Sequence, residues 1–478
     1  MNKMNRFYII LLLSLVTGPL SAQEWLSADD REAPMEERLM NKDYKVEINT
    51  DGYWKPLEVF GALTSASDFI NANYIDTEGK SRSVMGFSMF THDFETNVRV
   101  RVKRIGKPFT KVDVRPHAYG IKPKKVDSNT VEFTLTSPKQ KVSVEFDNDR
   151  QSNFFLFPDL PTSRPDGYEV IYYGPGNHYI GELRLNSNQA LYLDKGAIIF
   201  ADIRSENAEN IMISGYGIIC GSRQEHDLKK RKRLFEFVNC KNVILKDVIV
   251  RDSPSWTTYF SECDGVHIDN VKHITWMINS DGFDFCNTRN VLMENCFIRN
   301  YDDNVSLKAF KGGSDTYNIT VRDCVMWADC AHNFLVGPET PGRKIHNIRF
   351  QNSIILESRE DRDPWRGAMA VMISDDGTYE DIYMEDIRIE DIRGGALMSF
   401  DYGIYNTFGL SAKNIVVRNI SYSGPRTPKS IVKGRDENHI IENIIFENVV
   451  INGEKLREDN FNKYFISNEF IKGLTITH

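Results

Sequence analysis

The sequence predicts an all-β chain, a right-handed parallel β-helix preceded by a small N-terminal β-sandwich. Two observations carry this. Residues 44–157 alternate apolar and polar positions in short runs with no helical period, and a strand-length Asn/Asp motif recurs through the rest of the chain.

In the first part, Val98-Arg-Val-Arg-Val102, Val131-Glu-Phe-Thr-Leu135 and Val142-Ser-Val-Glu-Phe146 alternate strictly, and Asp127-Ser-Asn129 and Asp147-Asn-Asp149 punctuate them. Strands with one apolar face pack as two layers, so a small antiparallel sandwich is expected. His117, between Pro116 and Ala118, reads as structural. A link near Pro158 to Asp166 ends this part.

The second part repeats Asn, a β-branched or apolar residue, alternating residues, then Asn or Asp five positions on. Asn242-Val-Ile-Leu-Lys-Asp247, Asn290-Val-Leu-Met-Glu-Asn295, Asn318-Ile-Thr-Val-Arg-Asp323 and Asn347-Ile-Arg-Phe-Gln-Asn352 show it, as do the runs from Asn414 and Asn443. Gly265 to Asn270 and Asp381 to Asp386 are degenerate copies, and the steps between starts are 23, 25, 28, 29, 34, 33 and 29 residues. Such periods in strand-only grammar mean a solenoid whose coils rise by about 4.8 Å, the strand spacing. The terminal Asn/Asp are expected to bond backbone groups at a bend, one above another. Leu191 to Phe200 and Ile213 to Gly221 read as the first coils, and past Leu456 the repeat fades into what should be a cap. Domain bounds follow as 23–166 for the sandwich and 167–478 for the β-helix.

Residues 1–22 have the grammar of a secretory signal: Lys3 and Arg6, an apolar run from Phe7 to Val16, then Gly18-Pro-Leu-Ser-Ala22, with cleavage expected after Ala22. The expected location is outside the cell or in a periplasm, with no membrane attachment after signal removal. A net charge of −8 argues against nucleic acid, and the basic run Lys229 to Arg233 reads as a solvated loop. All seven cysteines lie from Cys220 to Cys330 without a disulfide framework, so most of them read as buried small apolar residues. Cys296 and Cys324, at one repeat position, read as an interior stack and not a metal pair.

Chemistry concentrates in Asn279-Ser-Asp-Gly282 and Tyr301-Asp-Asp-Asn304. Asp281 and Asp302 are 21 residues apart, about one coil, so the solenoid would bring Asp281, Asp302 and Asp303 to one side. Two adjacent like charges are costly for stability, which marks Asp302-Asp303 out from turn residues such as Asp247, Asp284 and Asp323. The next coil brings His332 and Asn333. Crowded acids suit inverting glycoside hydrolysis, in which one protonated carboxyl serves the departing oxygen while another activates water across a gap of about 6.5–9.5 Å. Trp256, Trp276, Trp327 and Trp365 are candidates for stacking on sugars or for the core.

At these residues the chain resembles the polygalacturonase clan, glycoside hydrolase families 28 and 49, from about Ile171 to Asn452. Asn279-Ser-Asp281 is similar to the Asn-Thr-Asp signature of polygalacturonases and Asp302-Asp303 to their paired aspartates, with Ser253-Pro-Ser-Trp256 and Leu191-Tyr-Leu-Asp-Lys-Gly-Ala197 similar to flanking segments. The resemblance implies a pectin lyase-like solenoid and a hydrolase of O-glycosidic bonds. It implies Asp302 as general acid, Asp281 and Asp303 activating water, Asn279 orienting sugar or water, and His332 tuning the acid. The sandwich-then-helix plan, and faintly Asp303-Asn-Val-Ser-Leu-Lys308, are similar to the family 49 dextranases and isopullulanases. The chain departs from the family 28 pattern around Ala331-His-Asn333, which lacks the flanking glycines. The Arg-Ile-Lys motif that holds a uronate carboxylate is also missing, Met372-Ile-Ser374 standing nearest; Arg366, Lys308 or Lys311 are the available cations.

The expected substrate-binding residues are thus Asn279, His332 and Lys308, with no cofactor or metal. The expected partner is a polysaccharide or oligosaccharide, and the chain is expected to be a monomer. Two other readings stay open: a calcium-dependent polysaccharide lyase with Lys308 or Lys311 as base, and a glycan-binding wall without catalysis. Whether inserts at Lys311 to Tyr317 and Glu357 to Gly367 close one end of a cleft decides endo or exo action.

Overall fold

The computed structural model describes residues 40–65, 82–224, 232–360, 366–402 and 407–478. The expected signal segment, Trp365, and most of the basic run from Lys229 lie outside them.

Among the described residues the N-terminal part is two five-stranded sheets packed face to face. Strand Val98–Arg104 buries Val98, Val100 and Val102 completely, as its alternation requires. The sandwich is not wholly antiparallel. Its last strand, Phe154–Asp159, inserts between Arg82–Thr91 and Val142–Phe146, pairing parallel with the first and antiparallel with the second. Central placement buries both faces of that strand: Phe154 and Leu156 join the sandwich core, while Phe155 and Phe157 turn toward the solenoid and sit 5.1 Å from Phe297.

Among the described residues the rest of the chain coils into sheets of 12 and 21 strands, parallel except where Glu454–Lys455 turns back on Val450–Ile451. Register carries one interior column through Ile211, Val243, Val266, Val291, Ile319, Ile348, Ile382, Ile415 and Ile444. All seven cysteines are free and buried, Cys296 and Cys324 in the interior, as expected.

The Asn/Asp repeats have a different cause from the one anticipated. The residues opening and closing the motif sit in the left-handed region, for example Asn290 (φ 57°), Asn318 (φ 54°) and Asn347 (φ 55°), a conformation Asn tolerates better than most residues. Their side chains bond chiefly to one another: Asn318 Nδ2 donates to Asn290 Oδ1 at 3.0 Å and Asn347 Nδ2 to Asn318 Oδ1 at 2.7 Å. A second ladder includes Asn352 on Asp323 and Asn419 on Asp386, so Asp323 is a ladder residue.

The stack begins a coil earlier than expected, at Glu169–Tyr173, and runs on to Ile471–Thr477, which pairs with Ile441–Glu447. The final residues are therefore a last strand. Gly473, at φ 69°, takes the ladder position there, which hides the repeat from an Asn-based pattern. Covering comes instead from the helical turn Phe461–Tyr464, whose Phe461 packs on Phe446.

The sandwich docks on the solenoid through an apolar layer and buried ion pairs. Fully buried Arg299 bonds Asp329 at 2.9 and 3.0 Å and Asn153 at 2.8 Å, and Lys272 meets Asp159 at 2.6 Å. Arg115 meets Glu390 at 2.8 Å, and the His117 backbone N–H donates to the same carboxylate at 2.6 Å, so His117 belongs to this joint. Trp327 is fully buried in it, 4.1 Å from the Arg299 guanidinium. Among the described residues no helix is long and apolar enough to cross a membrane.

Candidate active site

Three turns on successive coils build the site, each leading into strands held in one register. Phe283–Cys286 pairs with Val305–Lys308 so that Phe283 faces Val305, and Val305 then faces Phe334. The turns stack accordingly: Gly282 N–H donates to Asp303 O at 2.7 Å, and Asn304 N–H to His332 O at 2.9 Å. Asp281 lies one coil from Asp303, with Asp302 beside it. Gly282 has no room for a side chain, since a Cβ there would lie 2.3 Å from Asn304 O.

Asn279, Asp281, Asp302, Asp303, Lys308 and His332 all line a single cavity of about 290 Å³. Trp256, Leu335, Pro338, Glu339, Arg366 and Met372 complete its wall. Of the other tryptophans considered, Trp327 is in the domain joint and Trp276 packs edge-on against Tyr301. Lys311 is exposed and does not line the cavity, whereas Arg366 does.

Charge in this pocket is arranged unevenly. The Asp303 carboxylate accepts from His332 Nδ1 at 2.5 Å and from the His332 backbone N–H at 3.1 Å. Burial pushes Asp303 up, but the His332 charge and hydrogen bond, with Lys308 and Arg366, outweigh it and hold the group below the usual carboxylate range. The opposite holds for Asp281. Burial, with repulsion from Asp284 and Asp302, pushes it well above that range against the pull of Lys308. Its Oδ1 accepts no hydrogen bond from the described residues, and His332 Nε2 likewise has no partner.

Asp284, expected as a turn or ladder residue, is instead in the strand beneath the acids and fully buried. Phe283 and Phe285 point into the core, so Asp284 points out toward the cleft floor. Burial pushes it up to about 7, with Asp303 adding to the rise and Lys308 opposing it. Lys308 is the hub of this layer. Its ammonium lies 3.9 Å from Asp281, 3.4 Å from Asp284 and 3.0 Å from Glu339, and 3.9 Å above the Trp256 ring. Lys308 is itself buried, so its charge is already committed to acids of the protein.

The site thus joins a carboxyl drawn down by its histidine, a carboxyl pushed well up by burial and repulsion, and a third acid, all lining one cavity. Residues 194–465 match the family model of glycosyl hydrolases family 28. The chain belongs to that family. Relatives in sequence include an endo-polygalacturonase of Pectobacterium carotovorum subsp. carotovorum, 30% identical over 125 residues, covering 26% of this chain and 30% of the relative. An exopolygalacturonase of Cochliobolus carbonum is 25% identical over 236 residues, covering 44% of this chain and 50% of the relative. The chain therefore spans half or less of the length of these two relatives. In fold it is similar to Dex49A from Penicillium minioluteum, with TM-score 0.65 at 14% identity over 91% of this chain and 94% of that one. The sandwich-plus-helix layout is thus shared with Dex49A.

Proposed function

We propose that the chain cleaves O-glycosidic bonds of an extracellular or periplasmic polysaccharide by an inverting acid/base mechanism at Asp281, Asp302 and Asp303. The observation that carries this is the opposed electrostatic state of neighbouring acids lining one cavity: the His332 hydrogen bond draws Asp303 below the usual carboxylate range, while burial and repulsion push Asp281 well above it. Inversion needs both states at once.

Asp302, next to Asp303 in sequence, adds to the rise at Asp281, and in this mechanism the two carboxyls hold one proton between them. With substrate bound, that proton passes from Asp302 to the departing glycosidic oxygen. Asp303, with Asp281 once it is ionised, draws a proton from the attacking water on the other face of the ring. Asn279, lining the cavity from a left-handed turn, orients sugar or water. His332 fixes Asp303, and Lys308 balances the buried acids from below. Export rests on the N-terminal grammar of Lys3, Arg6 and the apolar run to Val16. The names of the curated relatives point to galacturonans and that of Dex49A to a dextran, and both classes are candidate substrates.

The test is to present purified protein with pectic, dextran and pullulan panels, reading reducing ends and the anomeric configuration of fresh product by NMR. Asp302→Asn should fold normally and lose turnover by at least about a thousandfold, since proton donation to the leaving group alone is worth about 10²–10⁴. Near-normal turnover in that variant would remove Asp302 as the acid. Retained configuration would refute inversion, and an unsaturated, ultraviolet-absorbing product would establish a lyase instead.

A further inference from the structure

A second cavity, of about 450 Å³, lies away from the cleft where a sandwich turn, the interdomain link and the solenoid edge meet. Its walls include Lys139, Lys141, Leu160, Pro161, Asn270 and Asn295, and none of its residues lines the catalytic cavity.

Two features there are unfinished. Lys141 immediately precedes strand Val142–Phe146, on the side that carries Ser143 and Glu145 toward the solenoid, and is only 2% exposed. Among the described residues its ammonium has no hydrogen bond and no ion pair. Asp159, the nearest source of negative charge, is taken by Lys272 at 2.6 Å. The other feature is a break in the Asn ladder. Asn270 donates to Asp247 at 2.7 Å, but Asn295, one coil on, donates to Asp269 at 2.8 Å and not to Asn270. The Oδ1 atoms of both Asn270 and Asn295 are left buried with no donor. A buried ammonium lacking an acceptor and two buried carbonyls lacking donors each cost stability when left empty.

We propose that this cavity is a second saccharide site, built for a uronate unit. The sugar carboxylate accepts from the Lys141 ammonium, sugar hydroxyls donate to Asn270 and Asn295 Oδ1, and the apolar ring face rests on Leu160 and Pro161. A neutral sugar would supply hydrogen bonds but leave the buried charge uncompensated, whereas a carboxylate does both. The two acids nearby do not fill that role: Asp269 is engaged by Lys246 at 3.6 Å and by Asn295, and Asp247 accepts from Asn270 and is pushed up by burial. Burial, reinforced by the Lys272 charge, pushes Lys141 down to about 8, so the empty site loses its ammonium just above neutrality. Lys139 and Lys246 line the same cavity, and the thiols Cys296 and Cys324 lie behind it in the solenoid interior. The volume falls within the about 300–1,000 Å³ of small-ligand sites.

The test is calorimetric titration of the full chain, carrying Asp302→Asn to prevent cleavage, with D-galacturonic acid, a trigalacturonate and uncharged methyl galactoside. Expected is uronate binding at least tenfold tighter than the methyl galactoside, and loss in Lys141→Met of one binding event, or at least tenfold in affinity. Tighter binding of the trimer would identify a polymer chain as the source, and equal binding the free sugar. From pH 6.5 to 9 the wild-type site should weaken about tenfold as the amine deprotonates, while Lys141→Arg, charged throughout, should stay flat. Should Lys141→Met not fold, this pH comparison decides. Undiminished uronate binding in Lys141→Met, equal binding of the uncharged sugar, or a pH-independent wild-type site would each overturn the proposal. So would no uronate binding at millimolar concentration. Because the cleft is not involved, none of these outcomes bears on the hydrolase assignment.

Discussion

Replacing Asp284 by Asn removes one buried charge from beneath the proposed catalytic acids without changing side-chain volume. Asp281 and Asp284 both touch Lys308, at 3.9 and 3.4 Å, so their oxygens lie no more than about 7 Å apart. At an effective dielectric near 20, two charges at that distance repel by about 2.4 kcal/mol. Asp284 titrates at about 7 and is half ionised near neutrality, so about half of that, close to one pH unit, is the share it imposes on Asp281. Lys308, freed from one partner, would act more strongly on Asp281 in the same direction. The proton shared by Asp281 and Asp302 should therefore leave at lower pH. In a pH profile of kcat/KM, the alkaline limb of Asp284→Asn should move down by about one unit, with the acidic limb nearly fixed. The assay uses whichever polymer the wild type cleaves, with a thermal melt to confirm folding. An alkaline limb that stays put or moves up would refute the electrostatic account of this layer.

His332→Ala removes the hydrogen bond and charge that hold Asp303 low, so Asp303 should stay protonated to higher pH. The acidic limb of the same profile should move up and kcat fall by about 10²-fold, and an unmoved limb would deny His332 this role. Arg299→Ala leaves Asp329 buried without its cation, and should cost about 3–5 kcal/mol in chemical denaturation; a loss below 1 kcal/mol would show that the joint is not held there. Asn318→Ala cuts two ladder bonds and puts alanine at φ 54°, so it should cost about 2–4 kcal/mol. Asn318→Gly keeps the bonds cut but relieves the backbone, and should recover about 1 kcal/mol of that loss. Equal melts for the two variants would assign the ladder's stability to its side-chain bonds alone.

Much of the fold is legible because the solenoid demands the same unusual backbone at each coil, and Asn is the residue that both accepts that conformation and bonds its copy above. Where Gly473 meets the conformational demand without the side chain, the pattern vanishes although the strand persists. The central strand of the sandwich was opaque for another reason. Alternation in Phe154–Asp159 reveals two buried faces only when the solenoid that covers one of them is known. At the site, Asp281, Asp302 and Asp303 stand out by adjacency and by a spacing of one coil. Asp284 lacked such a mark, yet its place between Phe283 and Phe285 contains one. In a strand whose neighbours face the core, the residue between must face out, here onto the floor of the cleft. The load on Lys308 could not be read, because one of its three acids, Glu339, comes from a loop on the following coil, where sequence distance carries no geometric information.

The sandwich holds the strand that leads to the proposed acids, although none of its described residues lines the cavity. Strand Phe297–Asn300 presents Phe297 to Phe155 and Phe157 of the sandwich, and Arg299 to Asn153 and to the Arg150 carbonyl at 2.8 Å. Its next residues are Tyr301, Asp302 and Asp303. The strand that leads into the turn carrying Asp302 and Asp303 is therefore clamped on its outer face by the other domain, while its inner face is packed in the solenoid core. One coil on, Trp327 and Asp329 are held in the same joint, a few residues before His332. Two consecutive coils are thus fixed by one docking surface just upstream of the residues whose relative position sets the proton balance between Asp281 and Asp303. A mutation in the joint that leaves the fold intact should lower kcat more than it raises KM, because loosened acids lose alignment in the transition state before they lose the sugar.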